Sequence, residues 1–195
     1  MNITFHRVKN LSYIVVDGFF TAGEIKEITQ EVQDLKRFSL CAEKTAVAYD
    51  EQQAPKKTGA GLFLDDLYFK NREASAILKA NRKIFTQEFV YHATDFDIVF
   101  NFLRGSNKDS TLLNYYQEGQ QYRPHIDHAR ISSVTFLREG AFEGGEFFFP
   151  EQGVTIDALN NRTVIFPSCA THSALPVHGD GTRISIAQFI NYVGD

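Results

Sequence analysis

Tryptophan is absent from this chain, and cysteine occurs only twice among 195 residues. Two cysteines, Cys41 and Cys169, are too few for a disulfide-stapled scaffold, and such sparse usage points to a reducing cytoplasm. No stretch is apolar for long enough to cross a membrane. The opening segment, Met1 to Arg7, has no basic run leading into an apolar one, so no signal peptide is expected. Basic residues are not in excess: 20 Lys and Arg stand against 24 Asp and Glu, a net charge of −4. That balance argues against nucleic acid as a partner, a local basic patch aside. Internal repeats and low-complexity tracts are also missing. What is present is 43% hydrophobic residues, with 18 Phe and 8 Tyr. This composition supports one globular domain over residues 1–195 with a strand-rich core.

Residues 2–18 read as short strands, of which Ser12 to Val16 is the β-branched and aromatic part. Thr21-Ala-Gly-Glu24 is a capping box, and Ile25, Ile28, Val32 and Leu35 follow at helical spacing, predicting a helix over about 22–37. Residues 42–64 have little periodicity and read as a loop, a candidate lid with Tyr49, Leu62 and Phe63 as contacts. A second helix, or two shorter ones, is expected over about 71–92. From Leu112 the texture changes to short β-rich runs, Leu112–Tyr116, Ile131–Leu137, Glu146–Phe149, Val154–Ile156, Thr163–Phe166 and Ile184–Asn191. Turn residues separate them, among them Gly144-Gly145, Asn160-Asn161 and Gly179-Asp180-Gly181. The expected fold is mainly β with supporting α-helices: strands and support helices over 1–111, then a barrel or jelly roll over 112–195.

The second part holds every candidate ligand. His125 and Asp127 are one residue apart, and in a strand positions i and i+2 share a face. They can chelate one ion, with Ile126 turned away into the core. The third ligand is sought among His128, His172 and His178. His172 is preferred because it follows the run ending at Pro167, at a strand-to-loop exit that can face a cavity. His178 stands beside a glycine turn and reads as solvated, and His128 either supports the site from behind or points outward. Two imidazoles and one carboxylate form a facial triad suited to a mononuclear non-haem Fe(II) that keeps open positions. Arg183 and Ser185 repeat the i, i+2 spacing, with Ile184 and Ile186 on the opposite face. A guanidinium inside a barrel needs an anion, and its planar fork suits a carboxylate. The competing reading is a surface arginine paired with an acid such as Asp180. Tyr116 and Tyr122 flank the Glu118-Gly119 turn and can offer phenol hydrogen bonds to the cavity or serve as ordinary aromatic core. Phe147 to Phe149 reads as packing, and Cys169 as a packed thiol or a site of oxidation near the metal.

The ordered series Tyr116, Gly119, Tyr122, His125-x-Asp127, Gly144-Gly145-Glu146, Phe149-Pro150, Phe166-Pro167-Ser168, His172, Pro176-Val177 and Gly181-x-Arg183-x-Ser185 resembles the prolyl 4-hydroxylase-like branch of the Fe(II)/2-oxoglutarate-dependent dioxygenases. His-x-Asp alone is a weak signal. The whole series is specific, with Arg183 eleven positions after His172 (183 − 172). The resemblance implies a double-stranded β-helix, or jelly roll, binding Fe(II) through His125, Asp127 and His172. It implies 2-oxoglutarate as co-substrate, its far carboxylate on Arg183 with Tyr116, Tyr122 and Ser185 as helpers. O2 is the oxidant, and ascorbate is admitted as a reductant. 2-Oxoglutarate would be decarboxylated to succinate as a C–H bond is hydroxylated, foremost in a peptidyl proline. A protein or peptide substrate is thus expected ahead of a small molecule. Many animal and plant relatives carry Lys where this chain has Arg183, which draws it toward the wider bacterial and viral members. Other substrates stay open: a free amino acid, another small metabolite or a nucleobase. So do a non-catalytic jelly roll, a cupin-like metal-binding one, and a zinc hydrolase, although no His-Glu-x-x-His helix occurs.

Overall fold

The computed structural model describes residues 1–45 and 48–191. The N-terminal hairpin pairs β1 (Asn2–Val8) with β2 (Leu11–Asp17). Helix α1 (Ala22–Leu35) follows, closed at its start by the Thr21–Glu24 capping box. Its buried face is Ile28, Val32 and Leu35, the spacing seen in the sequence. A short strand, β3 (Ala60–Phe63), then precedes three helices, α2 (Leu64–Leu67), α3 (Ala76–Asn81) and α4 (Gln87–Phe96). The remaining strands are β4 (Lys108–Tyr116), β5 (Tyr122–His125), β6 (Ile131–Glu139), β7 (Glu143–Gly144), β8 (Phe147–Phe149), β9 (Val154–Ile156), β10 (Arg162–Pro167), β11 (His172–Ala174), β12 (Val177–His178) and β13 (Thr182–Asn191).

Two antiparallel sheets carry the architecture. The larger has seven strands in the order β1-β2-β10-β6-β13-β4-β3, and the smaller has four in the order β5-β11-β8-β9. Side-chain alternation along each strand assigns one face to each neighbour. On β13 and β4, Ile184, Ile186, Ile190, Leu113 and Tyr115 join Ile28, Val32 and Leu35 of α1 in the helix-side core. Tyr115 fastens this layer, its hydroxyl donating to Val32 O at 2.7 Å. The opposite face supplies Leu112, Val134, Phe136, Phe166 and Ala187 to a second core, shared with Phe147 and Phe149 of the small sheet. A jelly roll results, with helices on the outside of its large sheet and a cavity between the sheets. Among the described residues no helix is long and apolar enough to cross a membrane.

Several elements differ from expectation. The 71–92 segment is not one helix. A 3-10 turn at Arg72–Ala74, then α3, a 3-10 turn at Arg82–Phe85 and α4 replace it. Polar side chains compete for the backbone at each break. Ser75 Oγ accepts from Leu78 N at 3.0 Å. Thr86, in extended conformation, donates its hydroxyl to Lys83 O at 2.9 Å. The 42–64 segment is partly tied down: β3 pairs with β4, and Lys57 bridges to Tyr122. Residues 46 and 47 of that segment, and 192–195 at the C-terminal end of the expected domain, lie outside the described residues. Leu62 packs on the helix-side core, away from the cavity, whereas Phe63 packs toward the inter-sheet side. Ile126 is not in the core. It is 48% exposed, because β5 ends at His125 and the strand alternation no longer applies to the two residues that follow.

Candidate metal centre

His125 closes β5, His172 opens β11, and the two lie directly opposite in the antiparallel register. The sequence placed His172 at a strand exit; it is the first residue of the next strand, after the turn that leaves β10. Asp127 belongs to the loop after β5, held by its N–H donating to Ser168 O at 3.0 Å. This bend brings it beside both imidazoles. The ligand atoms of the three residues all lie within 4.8 Å of one another. Asp127 Oδ1 is 3.7 Å from His125 Nε2, and Oδ2 is 3.5 Å from His172 Nε2.

The surroundings fix each ring. His125 Nδ1 faces Arg123 O at 2.9 Å and His172 Nδ1 faces Ala170 O at 3.0 Å. A carbonyl can only accept, so each Nδ1 carries a hydrogen, and each Nε2 is the ring atom turned to the centre. Burial, and then the neighbouring His172, push the His125 pKa down to about 3, which keeps the ring in the neutral, ligating form. Tyr122 stacks on His125 at 3.5 Å between centroids. Phe147 stacks on His172 at 5.3 Å, and Phe166 meets it edge-on at 4.7 Å. Ser132 Oγ donates to Asp127 Oδ2 at 2.6 Å and shares a 2.8 Å bond with Ser168. Nothing in the sequence marks Ser132 as a support of the carboxylate, since a serine near the start of a strand is commonplace.

The three residues border a cavity between the sheets whose opposite wall is β4 and β13, with Asn114, Tyr116, Arg183 and Ser185. Arg183 is 1% exposed, so the surface reading is excluded. Its Nε and Nη1 are buried without a hydrogen-bond partner among the described residues. Its stem passes Gly145, where a Cβ would sit 2.9 Å from Arg183 Cδ, and a φ of +70° further favours glycine there. Tyr116 is fully enclosed, its ring 5.1 Å from the guanidinium carbon, and burial raises its pKa so that it stays a neutral phenol. The Tyr122 hydroxyl accepts from Ala48 N at 2.9 Å, and burial pushes its pKa up to about 12. Ser185 Oγ accepts from Asn114 Nδ2 at 3.4 Å.

Other candidates fall away from the centre. The His178 side chain is 63% exposed, 3.6 Å from Glu118. His128 is exposed on a neighbouring cavity that Asp127, Tyr122, Ile126, Phe63 and Phe189 also line. Cys169 is not packed but exposed, because it sits in the turn between β10 and β11. Sequence reasoning missed Asn114, a buried polar residue that lines the cavity, and Lys57, buried behind it. An alternating strand and a Lys-Lys pair in a loop carry no mark of burial.

Two imidazole nitrogens and one carboxylate, with a buried guanidinium across the same cavity, are the donors that Fe(II) and a dicarboxylate co-substrate would require. Comparison with known proteins agrees. Residues 111–191 match the model of the 2OG-Fe(II) oxygenase superfamily. The structure resembles a Pseudomonas putida prolyl-4-hydroxylase, with TM-score 0.63, 17% identity and 95% of each chain covered. It resembles a viral collagen prolyl hydroxylase from Paramecium bursaria Chlorella virus-1, solved with 2-oxoglutarate, with TM-score 0.59, 19% identity, and 93% of this chain and 96% of that one covered. A Trichoplax adhaerens prolyl hydroxylase, solved with a hypoxia inducible factor peptide, gives TM-score 0.60 and 14% identity over 92% of this chain and 83% of that one. By sequence, no curated protein matches. The matched stretch, 111–191, carries every residue of the centre, so the likeness to the 2OG-Fe(II) oxygenase superfamily falls on the His-Asp-His group itself, and the protein is a 2-oxoglutarate-dependent dioxygenase using Fe(II) and O2.

Proposed function

We propose that this protein hydroxylates a prolyl residue of a protein or peptide. In this reading His125, Asp127 and His172 hold Fe(II), and Arg183 binds the far carboxylate of 2-oxoglutarate with Tyr116 and Ser185. When bound, the metal supplies the oxidising chemistry: O2, 2-oxoglutarate and a C–H bond become succinate, CO2 and a C–OH. The chain's own contribution is to hold the His125 imidazole neutral, aim both rings, leave one flank of the triad open, and surround the centre with aromatic rings. The observation that carries the reading is the buried Arg183 guanidinium across the cavity from the triad, whose Nε and Nη1 have no hydrogen-bond partner among the described residues. A cupin-like metalloprotein has no use for that cation.

Prolyl peptide as substrate is supported by three similar structures, all of prolyl hydroxylases, one holding a peptide. It is also supported by the adjoining cavity. Asp127 and Tyr122 border both cavities, and Phe63, Ile126 and Phe189 give the outer one apolar walls suited to a pyrrolidine ring. Cytoplasmic residence suits its two free, exposed cysteines. The test is incubation with Fe(II), 2-oxoglutarate and proline-containing peptides. The expected result is a gain of one oxygen in peptide mass, on proline, matched by succinate. Succinate formation driven by a free amino acid or a nucleobase, and not by any prolyl peptide, would overturn the substrate assignment.

A further inference from the structure

A second buried cation lies behind the β4 wall of the cavity. Lys57 is 0% exposed. Its Nζ donates to Thr45 Oγ1 at 2.9 Å and to Asn114 Oδ1 at 3.0 Å. Neither partner is charged, so the arrangement is costly. Burial pushes the Lys57 pKa down to about 8, which leaves the ammonium form predominant at neutral pH. The fold makes room for it: at Gly61, opposite Asn114 in the β3–β4 register, a Cβ would sit 2.9 Å from Lys57 Nζ.

Asn114 connects this cation to the cavity. An ammonium only donates, so it fixes Asn114 Oδ1 toward itself and leaves Nδ2 on the other side. There Nδ2 donates to Oγ of Ser185, the residue opposite it in the β4–β13 register. A serine hydroxyl engaged as acceptor retains its own proton for another partner, and Ser185 lines the cavity beside Arg183. We infer that Lys57 is a positioning residue that acts through Asn114 to set Ser185 as a hydrogen-bond donor to the far carboxylate of 2-oxoglutarate. The inference rests on the reading of the Arg183 pocket given above. It adds a polarity to that pocket: each buried group of the Lys57–Asn114–Ser185 series passes a donor forward, ending at the anion.

The test measures binding, without turnover. Protein loaded with Mn(II) is titrated by calorimetry with 2-oxoglutarate and with 2-oxopentanoate, which has a methyl group in place of the far carboxylate. Lys57→Met should weaken 2-oxoglutarate about tenfold, the scale of one hydrogen bond to a charged group, and leave 2-oxopentanoate unchanged. In a Ser185→Ala background the same substitution should have almost no effect, since its route to the ligand is gone. Asn114→Asp is the folding control. It forms an ion pair with Lys57 and keeps the melting temperature, yet it cannot donate to Ser185 and should weaken 2-oxoglutarate as Lys57→Met does. Equal weakening of both keto acids by Lys57→Met, additivity with Ser185→Ala, or full 2-oxoglutarate affinity in Asn114→Asp would overturn the relay. Wild-type protein that binds the two keto acids alike would instead overturn the reading of the Arg183 pocket beneath it.

Discussion

Replacing Arg183 by Met should affect stability and co-substrate affinity in opposite ways. In the ligand-free protein Arg183 buries two donor nitrogens without partners. Each unsatisfied buried group costs about 1–3 kcal/mol, part of it relieved by solvent entering the cavity. Methionine keeps much of the apolar stem against Tyr116 and Phe136, which flank the guanidinium at 5.1 and 5.0 Å, and removes the orphan donors. Unliganded Arg183→Met should therefore be as stable as the wild type or more stable by up to about 2 kcal/mol, which is up to roughly 4–8 °C in Tm for a chain of this size. Binding should go the other way. Losing a charge-assisted bidentate pair with a carboxylate costs about 3 kcal/mol, or roughly 100-fold in Kd. With metal loaded and 2-oxoglutarate at about 100 times the wild-type Kd, mass action stabilises the wild type by about 2.7 kcal/mol. The variant at the same concentration gains only about 0.4 kcal/mol. Thermal melts with and without co-substrate should thus show a shift of about 5–10 °C for the wild type and about 1 °C for the variant. A variant that is strongly destabilised without ligand but shifts like the wild type with it would refute the argument, because Arg183 would then be a structural cation.

Further predictions concern the ligands and their supports. His172→Ala and Asp127→Ala should each abolish stoichiometric Fe(II) binding while the far-UV circular dichroism is retained; tight binding by either would remove that residue from the ligand set. Ser132→Ala takes the 2.6 Å donor from Asp127 and should weaken metal binding about 10–100-fold, seen as a higher Kd in a competitive metal titration. Thr21→Ala removes the α1 capping box and should lower stability by about 1 kcal/mol, with metal affinity unchanged. Asp97 has its pKa lowered by the Ser12 hydroxyl, then by Val99 N–H and Arg7. A carboxyl whose folded pKa is depressed stabilises fully above its unfolded value near 3.9, and loses that contribution as pH falls through the folded value. Urea midpoints of the wild type and Asp97→Asn should accordingly differ at neutral pH and converge in strong acid; a constant gap at all pH values would contradict this.

Residue spacing revealed much of the cavity wall. The alternation of Arg183 and Ser185 against Ile184 and Ile186 predicted which side chains face inward, and β13 follows it as far as Ala187, because a strand between two packed layers holds period 2 strictly. The same rule failed at Ile126, where the strand ends one residue before it. The chain bends there to deliver Asp127, and the bend depends on a hydrogen bond to Ser168, 41 positions away (168 − 127). Such distant pairing leaves no local trace. It also explains why the small strands β5, β7, β11 and β12 were illegible: each is two to four residues long and exists only through its partner. Helix α1 was readable because its start signal and apolar stripe are both local. The helical stretch after residue 71 was not, since Ser75 and Thr86 divert the backbone by side-chain hydrogen bonds that apolar periodicity ignores. Lys57 shows the limit most clearly, as its burial follows from a glycine on β3 and an asparagine on β4.

The central claim is that His125, Asp127, His172 and Arg183 together form one Fe(II) and 2-oxoglutarate site. Its most direct test is an anaerobic titration of the protein with Fe(II) and 2-oxoglutarate, observing the weak visible metal-to-ligand charge-transfer band. The account predicts a band in the wild type, its loss in His172→Ala, and a need for about 100-fold more co-substrate in Arg183→Met. Folded, iron-loaded wild-type protein that develops no band with 2-oxoglutarate would contradict it.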